Sequence, residues 1–162
     1  MNHRTKFTML FLILVAAWAA AQPMGHNVAE MKFGNVPGVP TCTTGAVQSG
    51  DPMNGTFIIL AKVPPKCSIP WHWHTANENL IIVSGTARID VKDGKSMTLS
   101  SGGFAMMPAH HIHQFRCTTS CKFYLYSDGA FDIHYVDAKG TEISPDDALK
   151  GLKEKAAKPP AG

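Results

Sequence analysis

The stretch from Pro70 to Gly85, reading Pro-Trp-His-Trp-His-Thr-Ala-Asn-Glu-Asn-Leu-Ile-Ile-Val-Ser-Gly, constrains the fold more than any other part of the chain. Side chains on a β-strand alternate faces, so His72 and His74 share one face while Trp71 and Trp73 share the other. Two imidazoles about 7 Å of backbone apart can converge on one ion, and imidazole and carboxylate are the side chains best suited to share a divalent transition metal. Thr75-Ala76-Asn77 reads as a short bend that brings Glu78, ahead of the apolar run Leu80 to Val83, back beside the histidines. Two strands joined by this bend would carry three local candidate ligands, His72, His74 and Glu78.

The residues around this stretch follow the same grammar. Short runs rich in β-branched and aromatic residues alternate with turn residues at close spacing, the pattern of an all-β sandwich or barrel. Strands are expected at Phe57 to Val63, Ile69 to His74, Glu78 to Val83, Thr86 to Lys92, Ser96 to Leu99, Phe104 to Pro108, His113 to Cys117, Lys122 to Ser127 and Phe131 to Val136. Asp93-Gly94 is a hairpin signal, because both residues tolerate positive φ. From Gln22 to Gly55 Gly and Pro recur too often for regular hydrogen bonding, and an irregular outer arm is expected with one short strand around Gly45 to Gln48. The tail differs: Ser144 as N-cap, Pro145 at the first helical position and Asp146-Asp147 in the first turn predict a short helix, with Leu149, Leu152 and Ala156 on one side.

The chain opens as a targeting segment would. His3, Arg4 and Lys6 precede an apolar run from Phe7 to Ala17 broken only by Thr8, and Ala19-Ala20-Ala21 supplies the small residues of a cleavage site before Gln22. The run is shorter than the ~20 residues that span a bilayer, so the leader is expected to be removed, with no stable membrane association afterwards. The mature protein is then exported, periplasmic or secreted. Removal of Arg4 and Lys6 lowers the formal charge of +3 by two, and such a balance gives no basic patch for nucleic acid.

An oxidising compartment gives the four cysteines a role. Cys117 and Cys121 flank what reads as a hairpin loop, where facing residues lie at a bridgeable separation. That leaves Cys42 with Cys67, tying the arm to the residues before the histidine strand. A cysteine-ligated metal is the competing assignment, but the chain has no C-x-x-C pair.

A second histidine segment, Gly102 to Phe115, reads Gly-Gly-Phe-Ala-Met-Met-Pro-Ala-His-His-Ile-His-Gln-Phe. Together the two segments resemble the paired motifs of the cupin superfamily. The first motif is matched by His72, His74, Glu78 and Gly85, and the second by Gly102, Pro108 and His113. The resemblance runs from about Gly50 to Asp137 and is greatest to small single-domain cupins of the conserved-barrel type. It implies an all-β double-stranded β-helix, a jelly-roll barrel, with a short C-terminal helix. The resulting division is a signal peptide at 1–21, an irregular arm at 22–55, the barrel at 56–137 and a tail at 138–162. It also implies His72, His74, Glu78 and His113 as ligands of one divalent transition metal, with Fe, Mn, Ni, Cu and Zn all compatible with such a set. Two positions depart from the pattern: His110 stands where a glycine is expected and Cys117 where an asparagine sometimes occurs.

His110 and His111 are the candidates for a proton shuttle or substrate contact, against the plainer reading of two rim histidines. His26 reads as a loop residue, and His134 as a surface residue beside Asp132 on a strand whose inner face is Phe131, Ile133 and Tyr135. Phe104, Met106, Met107, Phe115, Tyr124, Tyr126, Ile82 and Phe57 supply core and cavity wall, while Trp71 and Trp73 cover an outer or dimer-facing side. Family members of this kind include dioxygenases, lyases and isomerases, so the resemblance implies a metal-dependent enzyme on a small organic molecule. The alternative is a non-enzymatic module that binds or senses a small ligand through its metal.

Overall fold

The structure, a computed structural model, describes residues 23–157; the expected leader and the last five residues lie outside them. Residues up to Glu30 form a separate unit from the rest, with a short 3₁₀ turn at Val28–Glu30 in which the Glu30 carboxylate accepts from the Asn27 amide. His26 is exposed there.

Met31 onward forms two antiparallel sheets. The first contains β1 (Gly34–Asn35), β2 (Thr44–Gly50), β3 (Phe57–Val63), β10 (Cys121–Ser127), β5 (Glu78–Ser84) and β8 (Phe104–Met107), paired in that order. The second contains, in order, β11 (His134–Tyr135), β4 (Ser68–Trp73), β9 (His113–Cys117), β6 (Ala87–Val91) and β7 (Met97–Leu99). Between them lies one apolar core, drawn from alternate positions of both sheets: Phe57, Ile59, Leu80, Ile82, Phe123 and Met107 from the first, Ala87, Ile89 and Phe115 from the second. Period-two alternation thus decides which residues meet in the middle. The jelly-roll architecture and its short C-terminal helix agree with the sequence expectation.

The arm is more ordered than its Gly and Pro content predicts. β2 runs seven residues and pairs with β3 from Thr44↔Lys62 to Gly50↔Phe57, with a bulge between Val47 and Ser49. The sheet therefore begins well before residue 56. Strand β3 supplies the hydrogen-bond partners that the local sequence cannot supply, and the bulge absorbs the irregular register. At the other end, only His134 and Tyr135 of the expected Phe131 to Val136 strand pair with β4 as a strand, and Val136 makes an isolated antiparallel bridge with Glu142. The Asp93-Gly94 turn is also not a two-residue hairpin: Asp93 alone is left-handed, at φ +57°, and Gly94 N–H closes back on the Val91 carbonyl at 3.1 Å.

Gly85 meets a hard steric limit. Its φ is +86°, and a Cβ there would lie 2.1 Å from the Ser120 carbonyl oxygen, so the β5 to β6 turn admits no side chain. The tail helix α1 (Pro145–Ala157) starts as its caps predict. Asp147 N–H donates to Ser144 Oγ at 3.1 Å, and that hydroxyl donates to the Asp147 carboxylate at 2.8 Å. Leu149 and Leu152 line a groove of about 570 Å³ with Pro64, Pro65 and the Cys42–Cys67 bridge. Among the described residues no helix is long and apolar enough to cross a membrane.

All four cysteines are bridged, Cys42 to Cys67 and Cys117 to Cys121. Two disulfides suggest an oxidising environment, since cytosolic thiols are kept reduced.

Candidate metal centre

His72 owes its inward aim to an interruption of β4. Ser68↔Arg116 and Ile69↔Phe115 pair in one register with β9, and His72↔His113 pair in another. One extra residue is therefore taken up at Pro70-Trp71, where proline has no N–H to lose from the ladder. Without it, strand parity would put residue 71 rather than 72 on the side of Ile69. The bulge also leaves the Pro70 carbonyl available, and His72 Nδ1 donates to it at 2.6 Å.

The other two histidines are fixed in the same manner. His113 Nδ1 donates to the His111 carbonyl at 2.9 Å, and His74 Nδ1 donates to the Asp132 carbonyl. A carbonyl can only accept, so each Nδ1 carries a proton and each ring turns its Nε2 the other way. The three rings converge, with one nitrogen from each lying within 4.8 Å of the other two, and all three are buried.

Glu78 enters from the opposite sheet, at the first position of β5. Its Oε2 is 3.2 Å from His113 Nε2 and its Oε1 is 3.5 Å from His74 Nε2. Burial alone would raise its carboxyl pKa, but the charge of His74 and the hydrogen bond from His113 outweigh that and hold it at about 2. Burial likewise works against a charged His113, yet the Glu78 carboxylate overrides it and raises that imidazole. His72, deeper and facing two other imidazoles, is pushed well down by burial and then by His113 and His74. His74 Nε2 is buried without a hydrogen-bond partner. A buried nitrogen in that state costs free energy unless a partner meets it. Three imidazole nitrogens with an ionised carboxylate alongside fit a divalent transition metal.

A second set of residues holds the bend that spaces His74 from Glu78. Asp132 accepts from Thr75 N–H at 3.0 Å and from the Thr75 hydroxyl. Asp128 accepts from Asn77 N–H at 3.0 Å and from its side-chain amide at 2.6 Å. Asn77 Oδ1 accepts from Ala109 N–H at 3.0 Å, and the His74 carbonyl accepts from His110 N–H at 2.8 Å. The sequence marks His134 as a surface residue beside Asp132 and Asn77 only as part of the bend, and gives no sign of Asp128. These contacts join residues more than 30 positions apart, and only the bend residues themselves carry a local signal.

His110 and His111 do not join the three converging rings. Both are exposed, and they serve the site through the backbone: His110 through its N–H, His111 through its carbonyl. His110 sits at φ +62°, so the position where the resembled pattern has glycine is left-handed here, a region histidine tolerates. Trp73 faces outward, opposite His134 in the ladder, and the two rings stack at 3.9 Å and 6°. His134 is therefore half-buried and lies 3.4 Å from Asp132 Oδ2.

Next to the histidines is a cavity of about 40 Å³. Its wall comes from the arm (Val36, Val39, Thr43), from strands (Ile59, Ala61, Ile69, Phe123, Leu125) and from the loop before β11 (Phe131, Ile133). Of the eight residues expected to supply core and cavity, Met107, Phe115, Ile82 and Phe57 are core. Phe104, Met106 and Tyr126 are among the exposed large hydrophobics, and on β10 it is Phe123 and Leu125, one register off the expected tyrosines, that turn inward.

The chain is thus an antiparallel β roll with a buried histidine cluster beside a small cavity. Residues 59–127 match the family described as Cupin domain. Solved structures with this fold include an RmlC-like cupin from Shewanella frigidimarina, 14% identical with a TM-score of 0.57, covering 68% of this chain and 95% of its own. The polyketide cyclase RemF from Streptomyces resistomycificus is 16% identical with a TM-score of 0.60, covering 72% and 89%. The DMSP lyase DddQ from Ruegeria pomeroyi is 16% identical with a TM-score of 0.56, covering 69% of this chain and 63% of its own. At these identities the likeness is one of fold. No curated protein is significantly similar in sequence.

Proposed function

We propose that this protein is an exported, metal-dependent cupin in which His72, His74, His113 and Glu78 hold one divalent transition metal and a small organic molecule reacts in the adjoining cavity. The observation that carries the reading is the common state of the three imidazoles. Each is tied at Nδ1 to a backbone carbonyl, so its Nε2 is presented to a shared point, and the Nε2 of His74 has no hydrogen-bond partner. A bound ion would supply a Lewis-acid or redox centre. The chain's own part is to orient the imidazoles, to keep Glu78 ionised as a balancing charge, and to exclude water with an apolar wall. Two of the similar structures are named as a cyclase and a lyase, which is consistent with chemistry on small molecules. Export rests on the N-terminal pattern and agrees with the two disulfides.

The second reading is metal-dependent ligand capture without turnover. The cavity lining favours it, because it carries no acid or base outside the candidate metal ligands. Stripping the mature protein with a chelator and reloading it with each of Fe, Mn, Ni, Cu and Zn tests the shared premise. One ion should raise the melting temperature in a concentration-dependent way. Turnover of any small substrate by that form decides for the enzyme, and saturable binding without product decides for the module.

A further inference from the structure

The segment between β1 and β2 crosses the cavity and puts Val36 and Val39 into its wall. Three contacts hold the crossing in place. Tyr135, buried and opposite His72 in the sheet, donates its hydroxyl to the Gly38 carbonyl at 2.9 Å. Gly38 takes φ +79°, and a Cβ there would lie 3.0 Å from the Ile133 side chain, so the crossing presses against the opposite wall. Cys42 is bridged to Cys67, just ahead of the strand that carries His72. The far wall is completed by Phe131, whose ring centre is 5.7 Å from that of His74.

The space beneath the crossing has a definite chemistry. At about 40 Å³ it has room for roughly three water-sized groups. Its polar groups are the metal-binding set and Thr43, whose hydroxyl already donates to the Cys67 sulfur at 3.6 Å. A ligand carboxylate placed against Val36, Val39 and Phe131 would lose its hydration and gain no partner.

Resting on the metal-site reading above, we propose that this site takes a small ligand whose portion beyond the metal-binding atom is apolar and uncharged, and that Val36 and Val39 set its length. A ligand of a few heavy atoms fits under the crossing, and a longer one meets the two valines.

The test uses the cobalt(II)-loaded mature protein, whose visible spectrum reports both the ion and anything bound to it. The probes are ethyl isocyanide, isocyanoacetate, which carries a carboxylate in the same space, and n-hexyl isocyanide. Ethyl isocyanide should shift the spectrum with at least about tenfold higher affinity than either of the others, the carboxylate being penalised by burial. Val39→Ala should narrow the gap between hexyl and ethyl without improving isocyanoacetate. Val36→Ala, at a half-buried position, gives the same readout should Val39→Ala fail to fold. A cobalt spectrum moved as readily by isocyanoacetate, or by none of the three, overturns this inference alone. No cobalt spectrum in the wild type overturns the metal reading and the inference with it.

Discussion

His74 donates from Nδ1 to the main-chain carbonyl of Asp132, 58 residues further along the chain. The same aspartate grips Thr75 with its carboxylate, so one residue fixes both the ring of a candidate ligand and the bend that follows it. Burial works against the Asp132 carboxylate, but the hydrogen bonds from Thr75 outweigh it and lower its pKa, as does the charge of His134.

Asp132→Ala should therefore weaken metal binding while leaving the barrel folded. The substitution keeps the main-chain carbonyl that His74 Nδ1 donates to and removes only the carboxylate grip on Thr75, so the loss should fall near the low end, about 10-fold, of what an outer partner of a metal ligand contributes. Competition with a coloured chelator measures this, and an affinity equal to wild type would show that the bend holds its shape without the clamp.

Removing a bridge should cost stability in proportion to the loop it closes. Cys42–Cys67 spans a separation of 25 and Cys117–Cys121 one of 4. Loop-closure entropy then predicts losses of about 3.5 kcal/mol for the Cys42→Ser, Cys67→Ser pair and about 2 kcal/mol for the Cys117→Ser, Cys121→Ser pair. Urea denaturation of the two double variants checks the order, and a reversed ranking would contradict it.

Acid should destabilise the metal-stripped protein through Glu78. Its carboxyl is held at about 2, below the usual 4.5, so its contribution is fully present above pH 4.5 and is lost as pH falls through 2. The shift corresponds to a contribution on the order of 3 kcal/mol. His113 is shifted upward by the same carboxylate, so its share is present below its usual pKa of 6.5 and fades as pH rises through the higher folded value. Glu78→Gln should flatten both limbs of the stability curve, as followed by thermal unfolding from pH 2 to 9. A curve with the same acid limb as wild type would mean that another carboxylate is responsible.

Much of the barrel is legible in the sequence, because strand alternation and turn residues are local signals. Phe57 to Val63 and His113 to Cys117 have the predicted ends, and Ser144 caps its helix through its own third neighbour. His72 and His74 converge as strand parity implies, while His113 is singled out from its neighbours only by the resemblance to the cupin motif. What the sequence hides is partnership at a distance. The β2 strand is held by β3 despite its glycines, the bulge at Pro70-Trp71 exists only in relation to β9, and Asp128 and Asp132 look like ordinary turn residues until the bend at Thr75 to Asn77 is beside them. The inward choice of Phe123 and Leu125 over Tyr124 and Tyr126 is likewise a matter of register, which an apolar run with aromatics on both faces does not declare.

The central claim is that three imidazoles and one carboxylate share a single ion. Its most direct test is metal content per chain, measured by elemental analysis on the mature protein and on His72→Ala, His74→Ala and His113→Ala prepared alike. One ion per wild-type chain, falling to a trace in each variant that remains folded, is the expected result. Wild-type levels in all three folded variants would contradict the claim.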